Sequence, residues 1–166
     1  MKMETLPDLL VHQLKDLHSA EKQILKALPR MQEKATHQEL KQLLETHERE
    51  TEEQLRRLDT AFEMLDASSG GELCEAMAAL IVEGELLMRD AKDDNVMDAA
   101  IIAAAQKVEH YEMASYGCAR AYAEMQRYAE VVELLQRTLE EEKNTDAKLT
   151  RLAEELINVH AASAGA

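Results

Sequence analysis

Four long stretches of this sequence repeat apolar residues every three or four positions, and little in them would interrupt a helix. The 166 residues include only two Pro and five Gly, and aromatic residues make up 3% of the chain. So few turn-forming and aromatic residues disfavour a β-sheet protein. The spacing of three to four residues is instead that of amphipathic helices. The sequence therefore predicts an all-α protein.

Start signals divide the chain into five predicted helices. Thr5 followed by Pro7 is typical of a helix N-terminus, and Thr36 with Glu39 has the spacing of a capping box. The clearest break is the Ser- and Gly-rich segment 68–72. The predicted helices cover residues 6–34, 37–65, 72–91, 96–125 and 129–160.

The lengths of these helices and of their connections predict how they pack. The four long helices would each measure about 40–50 Å at 1.5 Å per residue. Short connections make the first pair and the last pair antiparallel, while segment 66–95, with the shorter third helix, crosses the length of the bundle. This is the connectivity of a ferritin-like four-helix bundle. We expect a single domain over 1–166, with its core at about 5–160 and a frayed tail at 161–166.

Charge and composition exclude several function classes. The formal charge is −14, from 19 basic and 33 acidic residues, so neither nucleic acid nor an anionic membrane is an expected partner. No apolar run approaches the roughly 20 residues that span a bilayer, and the first residues lack signal-peptide features. Cys74 and Cys118 form no C-x-x-C motif and are expected to be small buried side chains in a cytoplasmic protein.

Each long helix carries polar residues at the middle of its apolar seam. In the first helix, the seam from Leu10 to Leu28 is apolar except for Glu21, and the seams of the other three long helices carry two or more polar residues. Helices of similar length that meet antiparallel bring these positions to one height. The predicted polar layer consists of Glu21, His47, Glu50, Glu109, Glu112, Glu142 and Asp146.

Such a layer of like charges needs compensation. Two carboxylates about 4 Å apart repel by roughly 1–4 kcal/mol, depending on the effective dielectric, so either protons or a multivalent cation must neutralise them. Carboxylates with one imidazole and no thiolate suit iron or manganese. Since 33 of the residues are acidic, a polar core or a partly solvated groove is the alternative, and His47 alone would be a hydrogen-bonded core histidine.

The remaining polar candidates have weaker patterns. His18 lies three residues before Glu21 and is a minor candidate, although a surface position is expected for it. The same surface position is expected for His12, His37 and His160. His110 is off the seam and would orient a neighbour, and Tyr116 would either pack in the core or donate a hydrogen bond to a ligand.

Four segments carry a family resemblance. They are AAIIAAAQKVEHYE at 99–112, SAEKQ at 19–23, the pattern His-x-x-Glu-Thr-x-x-Gln at 47–54, and TLEEEK at 138–143. Over about residues 5–155 the chain resembles the YciF-type stress proteins of the ferritin-like superfamily. The resemblance implies a bacterial stress protein with a ferritin-like bundle that forms a homodimer.

The resemblance also implies a carboxylate-bridged site for two iron ions, or for manganese and iron, that reacts with oxygen or peroxide. Its principal carboxylates would be Glu21, Glu50, Glu109 and Glu142, completed by His47 and Glu112. The usual di-iron pattern is Glu-x-x-His on two helices. Here the order on the second helix is reversed, with His47 three residues before Glu50. On the fifth helix, the residue three positions after Glu142 is Thr145 instead of a histidine, and Asp146 is the nearest substitute.

Three functions remain open from the sequence. The first is a non-haem di-iron protein of the stress response. The second is a dimeric helical module without enzymatic activity, in which the metal site is vestigial. The third is a metal buffer or sensor whose occupancy changes its stability or its binding of a partner.

Overall fold

The structure is a computed structural model that describes residues 3–163. Its helices are α1 (Leu6–Lys34), α2 (Gln38–Met64), α3 (Glu75–Asp90), α4 (Asp94–Met125) and α5 (Ala129–Leu152), followed by a π-helical turn (Ala153–Ile157) and the short helix α6 (Asn158–Ser163). Over this part of the chain there is no β-strand. The prediction of an all-α fold is confirmed.

Helices α1, α2, α4 and α5 form a four-helix bundle, and α3 lies in the crossover between α2 and α4. Each helix of the bundle packs against two others, and α3 packs against α1 and α4. Helices α1 and α4 are antiparallel, because Thr36 beyond the end of α1 contacts Asp98 near the start of α4, while Glu21 contacts Tyr116 further along. This is the predicted ferritin-like bundle with one long crossover.

The apolar core is divided into two halves along the bundle. One half lies toward the end of α1 and the start of α4 and includes Ile24, Leu28, Leu44, Ile101, Ile102 and Leu149. The other half lies toward the opposite end and includes Leu10, Leu14, Leu58, Phe62, Ala119 and Leu135. Between these halves, buried polar side chains occupy the middle of the bundle.

The starts of α1 and α2 are fixed by different contacts. As predicted, Thr5 caps α1: its hydroxyl accepts from the N–H of Asp8 at 3.3 Å, and Asp8 accepts from the N–H of Thr5 at 2.9 Å. The predicted capping box of Thr36 is wrong, because α2 begins after His37, which provides no side-chain cap. Instead the Asp98 carboxylate of α4 accepts from the backbone N–H groups of Thr36 and His37 at 2.7 and 2.9 Å.

Two further helix ends differ from the sequence prediction by three residues. Helix α3 starts three residues later than predicted, because the Cys74 thiol accepts from the N–H of Met77 at 3.4 Å and caps the helix there. At the C-terminus the chain stays helical to Ser163, and the π turn keeps Ile157 buried. Residues 161–163 belong to this last helix and 164–166 lie outside the described residues, so the frayed tail stays a prediction.

Cysteine burial and membrane spans can also be compared with the sequence expectations. Cys74 is buried as expected, but Cys118 is exposed on α4, because its position on the helix faces away from the bundle. In the described part of the chain, no helix is both long enough and apolar enough to cross a membrane.

Candidate metal centre

Four buried side chains from three helices converge in the middle of the bundle. They are His47 of α2, Glu109 and Glu112 of α4, and Glu142 of α5. Each offers one ligand atom, and these four atoms all lie within 4.8 Å of one another. Glu109 and Glu112 reach the same place because residues three apart share one face of a helix.

Most polar atoms of this four-residue cluster have no hydrogen-bond partner. Among residues 3–163, no hydrogen bond of normal geometry reaches either ring nitrogen of His47, either oxygen of Glu109 or Glu112, or Oε2 of Glu142, although Glu109 and Glu142 lie close enough to shift each other's pKa. His47 Nδ1 lies 3.2 Å from Glu109 Oε1, but the two atoms are not aligned for a hydrogen bond. Buried polar groups are normally paired because leaving them unpaired is costly. Converging lone pairs of these types fit a hard or borderline cation.

Without metal, burial keeps the net charge of the cluster close to zero at neutral pH. Loss of solvation raises the pKa values of Glu109 and Glu112 well above the usual range, and the charges of neighbouring carboxylates raise them further. The pKa of Glu142 rises to about 7, mainly through burial. Burial also lowers the pKa of His47 to about 4, so its imidazole is neutral and able to bind a metal at neutral pH. A bound cation would replace the protons on the carboxyl groups.

Glu21 of α1 lies beside the cluster, on the side closed by Tyr116. The Tyr116 hydroxyl donates to Glu21 Oε1, while Glu21 Oε2 has no partner in the described structure. Burial raises the pKa of Glu21 well above the usual range, and the charge of Glu142 adds to this effect. Tyr116 therefore holds in place a fourth buried carboxyl group, in addition to those of the cluster.

The other two predicted ligands, Glu50 and Asp146, are not brought into the four-residue cluster. Glu50 is half-buried and accepts from the Thr145 hydroxyl at 3.4 Å. The Asp146 side chain is 20% exposed, accepts from Gln106 Nε2 at 3.1 Å, and lies 3.3 Å from Nε2 of the exposed His110. A ligand role for either residue stays a prediction.

Two residues of α2 that we did not predict as part of the site close its α5 side. Gln54 is buried and donates from Nε2 to Glu142 Oε1. Arg57 pairs with Glu141 through two bonds of 2.7 and 2.8 Å. Gln54 lies on the same seam of α2 as His47, so its position in that seam could have identified it as a residue of the site. The pairing of Arg57 depends on the register of α2 against α5, which the sequence does not show.

His18 corrects another expectation from the sequence. It is buried rather than at the surface. Its Nε2 lies 3.0 Å from Asp59 Oδ1, and its ring packs edge-on against Phe62 at 5.8 Å between ring centroids. The contact with Asp59 of α2 compensates for the solvation that the imidazole loses on burial. His18 is therefore a core residue outside the cluster.

Comparisons with known proteins agree with this architecture. A family described as a domain of unknown function, DUF892, matches residues 5–162. The chain is 41% identical over 162 residues to the protein YciF of Escherichia coli K12, covering 95% of this chain and 96% of that protein.

Solved structures show the same bundle. The crystal structure of the E. coli stress protein YciF has a TM-score of 0.90 and 42% identity, covering 94% of this chain and 99% of that one. YcfI of Rhodopseudomonas palustris, proposed to be a structural protein, has a TM-score of 0.88 and 44% identity, covering 90% and 95%. A Xanthomonas campestris protein at 21% identity, with a TM-score of 0.77 and coverage of 98% and 100%, shares the fold.

Proposed function

The chain belongs to the DUF892 family and is a YciF-like protein, and on this premise we propose that it is a bacterial stress-response protein that binds iron or manganese inside a ferritin-like bundle. The observation that carries the proposal is the convergence of His47, Glu109, Glu112 and Glu142, whose buried ligand atoms lie within 4.8 Å of one another. Most of their polar atoms have no partner among the described residues.

The donor set favours iron or manganese in a site for two ions. Carboxylates and one neutral imidazole, without a thiolate, suit these metals, and Glu residues from facing helices bridge two such ions in other helical bundles. Two ions need more donors than the four-residue cluster supplies. Glu21 is the nearest further donor, because its Oε2 is buried and unpaired in the described structure.

The residues around the ligands would orient them. Tyr116 donates to Glu21 and Gln54 donates to Glu142, so one oxygen of each carboxylate is fixed and the other is free to bind. Two Fe(II) ions bound here would supply two electrons, which one hydrogen peroxide accepts with two protons to give two water molecules. The two apolar halves of the core exclude bulk water from this layer.

An alternative proposal is a dimeric structural module in which the site is vestigial. The description of R. palustris YcfI as a proposed structural protein favours it. This alternative expects that removing the buried carboxyl groups leaves stability unchanged or increases it, because like charges are removed.

Peroxide-driven oxidation of bound Fe(II) distinguishes the two proposals. We expect wild-type protein, loaded anaerobically, to oxidise Fe(II) faster than free Fe(II) in the same buffer, and the double variant Glu109→Ala/Glu142→Ala to lose this acceleration. The matched control is Glu124→Ala/Glu140→Ala, which removes exposed carboxylates from the same two helices. If the cluster variant keeps the wild-type rate, the proposed site is wrong.

A further inference from the structure

A small apolar cavity lies beside the four-residue cluster. Its volume is about 40 Å³, and its lining residues belong to α1, α3 and α4, together with His47 of α2. Most of its lining is aliphatic, including Ile24 of α1, Leu80 and Ile81 of α3, and Ala105 of α4. The cavity therefore lies under the crossover helix, at the edge of the bundle core.

The two ends of this cavity differ in polarity. Arg30 and Glu85 line its outer part and form an ion pair of 2.5 Å between α1 and α3, with both side chains largely exposed. His47 lines its inner part and is almost completely buried. Because His47 also belongs to the cluster, one of the proposed metal ligands lines this cavity.

The lining decides what this cavity can hold. A single water molecule needs roughly 10–15 Å³ and two to four polar partners. The cavity has the volume, but away from its exposed outer part, His47 is the one polar side chain among the described residues that line it. Water and hydrogen peroxide would find too few hydrogen-bond partners there, whereas apolar cavities in proteins stay dry and bind apolar molecules such as xenon.

From this geometry we infer that the cavity is a binding site for a small apolar molecule of the size of dioxygen, and that it delivers dioxygen to the cluster from the His47 side. The binding site rests on the cavity alone. The delivery role rests on the proposed function, since it requires metal at the cluster.

Xenon tests the binding site without any metal. In metal-free protein labelled at its methyl groups, we expect xenon to shift the NMR signals of Ile24, Leu80 and Ile81, and to leave those of the opposite half of the core, such as Leu14, unchanged. Equal shifts in both halves, or none at Ile24 and Ile81, would overturn the binding site.

Variants that change the volume of the cavity sharpen this test. Ala27 is a half-buried lining residue, and Ala27→Leu should fill the cavity and abolish the xenon shifts. Leu80→Ala should enlarge it and increase xenon binding. The control is Ala100→Leu, a half-buried Ala of α4 outside the cavity lining. A second filling variant, Ala105→Val, replaces Ala27→Leu if that protein fails to fold. Xenon shifts that persist in a folded filling variant would contradict the assignment.

The delivery role is tested by comparing two oxidants on Fe(II)-loaded protein. The filling variant should slow oxidation by dioxygen by about tenfold or more and leave oxidation by hydrogen peroxide unchanged. If both rates fall equally, or neither falls, the delivery role is wrong even where xenon binds. If wild-type protein binds no metal, the proposed function fails and the delivery role with it, while the xenon result still decides the binding site.

Discussion

His47 Nδ1 and Glu109 Oε1 lie 3.2 Å apart in the middle of the bundle without the alignment of a hydrogen bond. The two atoms come from different helices, and both are fully enclosed. A core histidine kept for structure is expected to bond to its nearest acceptor, as His18 does with Asp59 at 3.0 Å. The unpaired approach of His47 to Glu109 is instead the arrangement of two ligands that face a common ion.

Replacing His47 should weaken metal binding more than it weakens the fold. We expect His47→Gln to reduce the affinity for Mn(II) by more than about tenfold, because the single imidazole ligand is lost. The control His18→Gln removes the other buried histidine and should leave the affinity unchanged. Anaerobic calorimetric titration of metal-free protein measures both variants. Equal affinity in wild type and His47→Gln would show that His47 is a core histidine only.

The metal-free protein should lose stability as the pH rises from about 4.5 to about 7. The pKa of Glu142 is about 7 in the folded state against 4.5 as its ordinary value, so the folded protein keeps a proton that the unfolded chain releases in this window. The difference is on the order of 3 kcal/mol. Burial shifts the pKa values of Glu109 and Glu112 in the same direction. His47 opposes this trend between about 4 and 6.5, since its lowered pKa favours the folded state as the pH rises.

Urea unfolding at several pH values, with chelator present, measures this dependence. Glu142→Gln mimics the protonated carboxyl group and should reduce the slope of the free energy of unfolding against pH, although Glu109 and Glu112 still contribute. Glu140→Gln, at an exposed position of the same helix, should leave it as in wild type. A wild-type stability that rises between pH 5 and 7, or a Glu142→Gln variant with the wild-type slope, would contradict the assignment.

Tyr116→Phe should destabilise the metal-free protein by about 1–3 kcal/mol. The variant removes the hydroxyl that donates to Glu21 and leaves both carboxyl oxygens of this buried residue unpaired. Bound metal should restore part of the lost stability, because Glu21 then gains a bond to the metal ion. Thermal unfolding with and without Mn(II) gives the comparison, with Tyr122→Phe, on the same helix, as the control. A loss that metal does not reduce would place Glu21 outside the metal site.

Asp98 should contribute more to stability than an ordinary helix cap. It is buried and accepts three hydrogen bonds, from the backbone N–H groups of Thr36 and His37 and from the Thr36 hydroxyl at 2.7 Å. We expect Asp98→Ala to cost about 2–3 kcal/mol. Asp93→Ala, which removes the exposed cap of α4, should cost about 1 kcal/mol. Equal losses in urea unfolding would mean that the contact from α4 to the start of α2 adds nothing.

The sequence predicted the helices well because their apolar period is long and uninterrupted. Helix α1 was predicted at its observed bounds. The end of α4 and the start of α5 also lie where they were predicted. The errors lie where a partner distant in sequence decides an end. Asp98 binds the backbone just before α2, and the hydroxyl of Ser19 accepts from the N–H of Cys74 at 3.0 Å where α3 begins. A single helix pattern contains no information on such partners.

The middle layer of polar residues was predicted from the same pattern, but its inner arrangement was not. Seam position brings Glu109, Glu112 and Glu142 together, since all three are fully buried. It does not distinguish Glu50, which shares the seam of His47 but is only half-buried and accepts a hydrogen bond from Thr145. That difference depends on side-chain rotamers and on the register of α2 against α5, which the period of one helix does not contain.

Metal content is the most direct test of the central claim. Wild-type protein, expressed with iron supplied and purified without a metal-affinity step, should contain about two Fe or Mn per chain by elemental analysis, as expected for a carboxylate-bridged pair. Glu109→Ala/Glu142→Ala should contain almost none, and Glu124→Ala/Glu140→Ala should match wild type. Absence of metal from wild type even after anaerobic Fe(II) loading, or equal metal in wild type and the cluster variant, would contradict a metal centre at these residues.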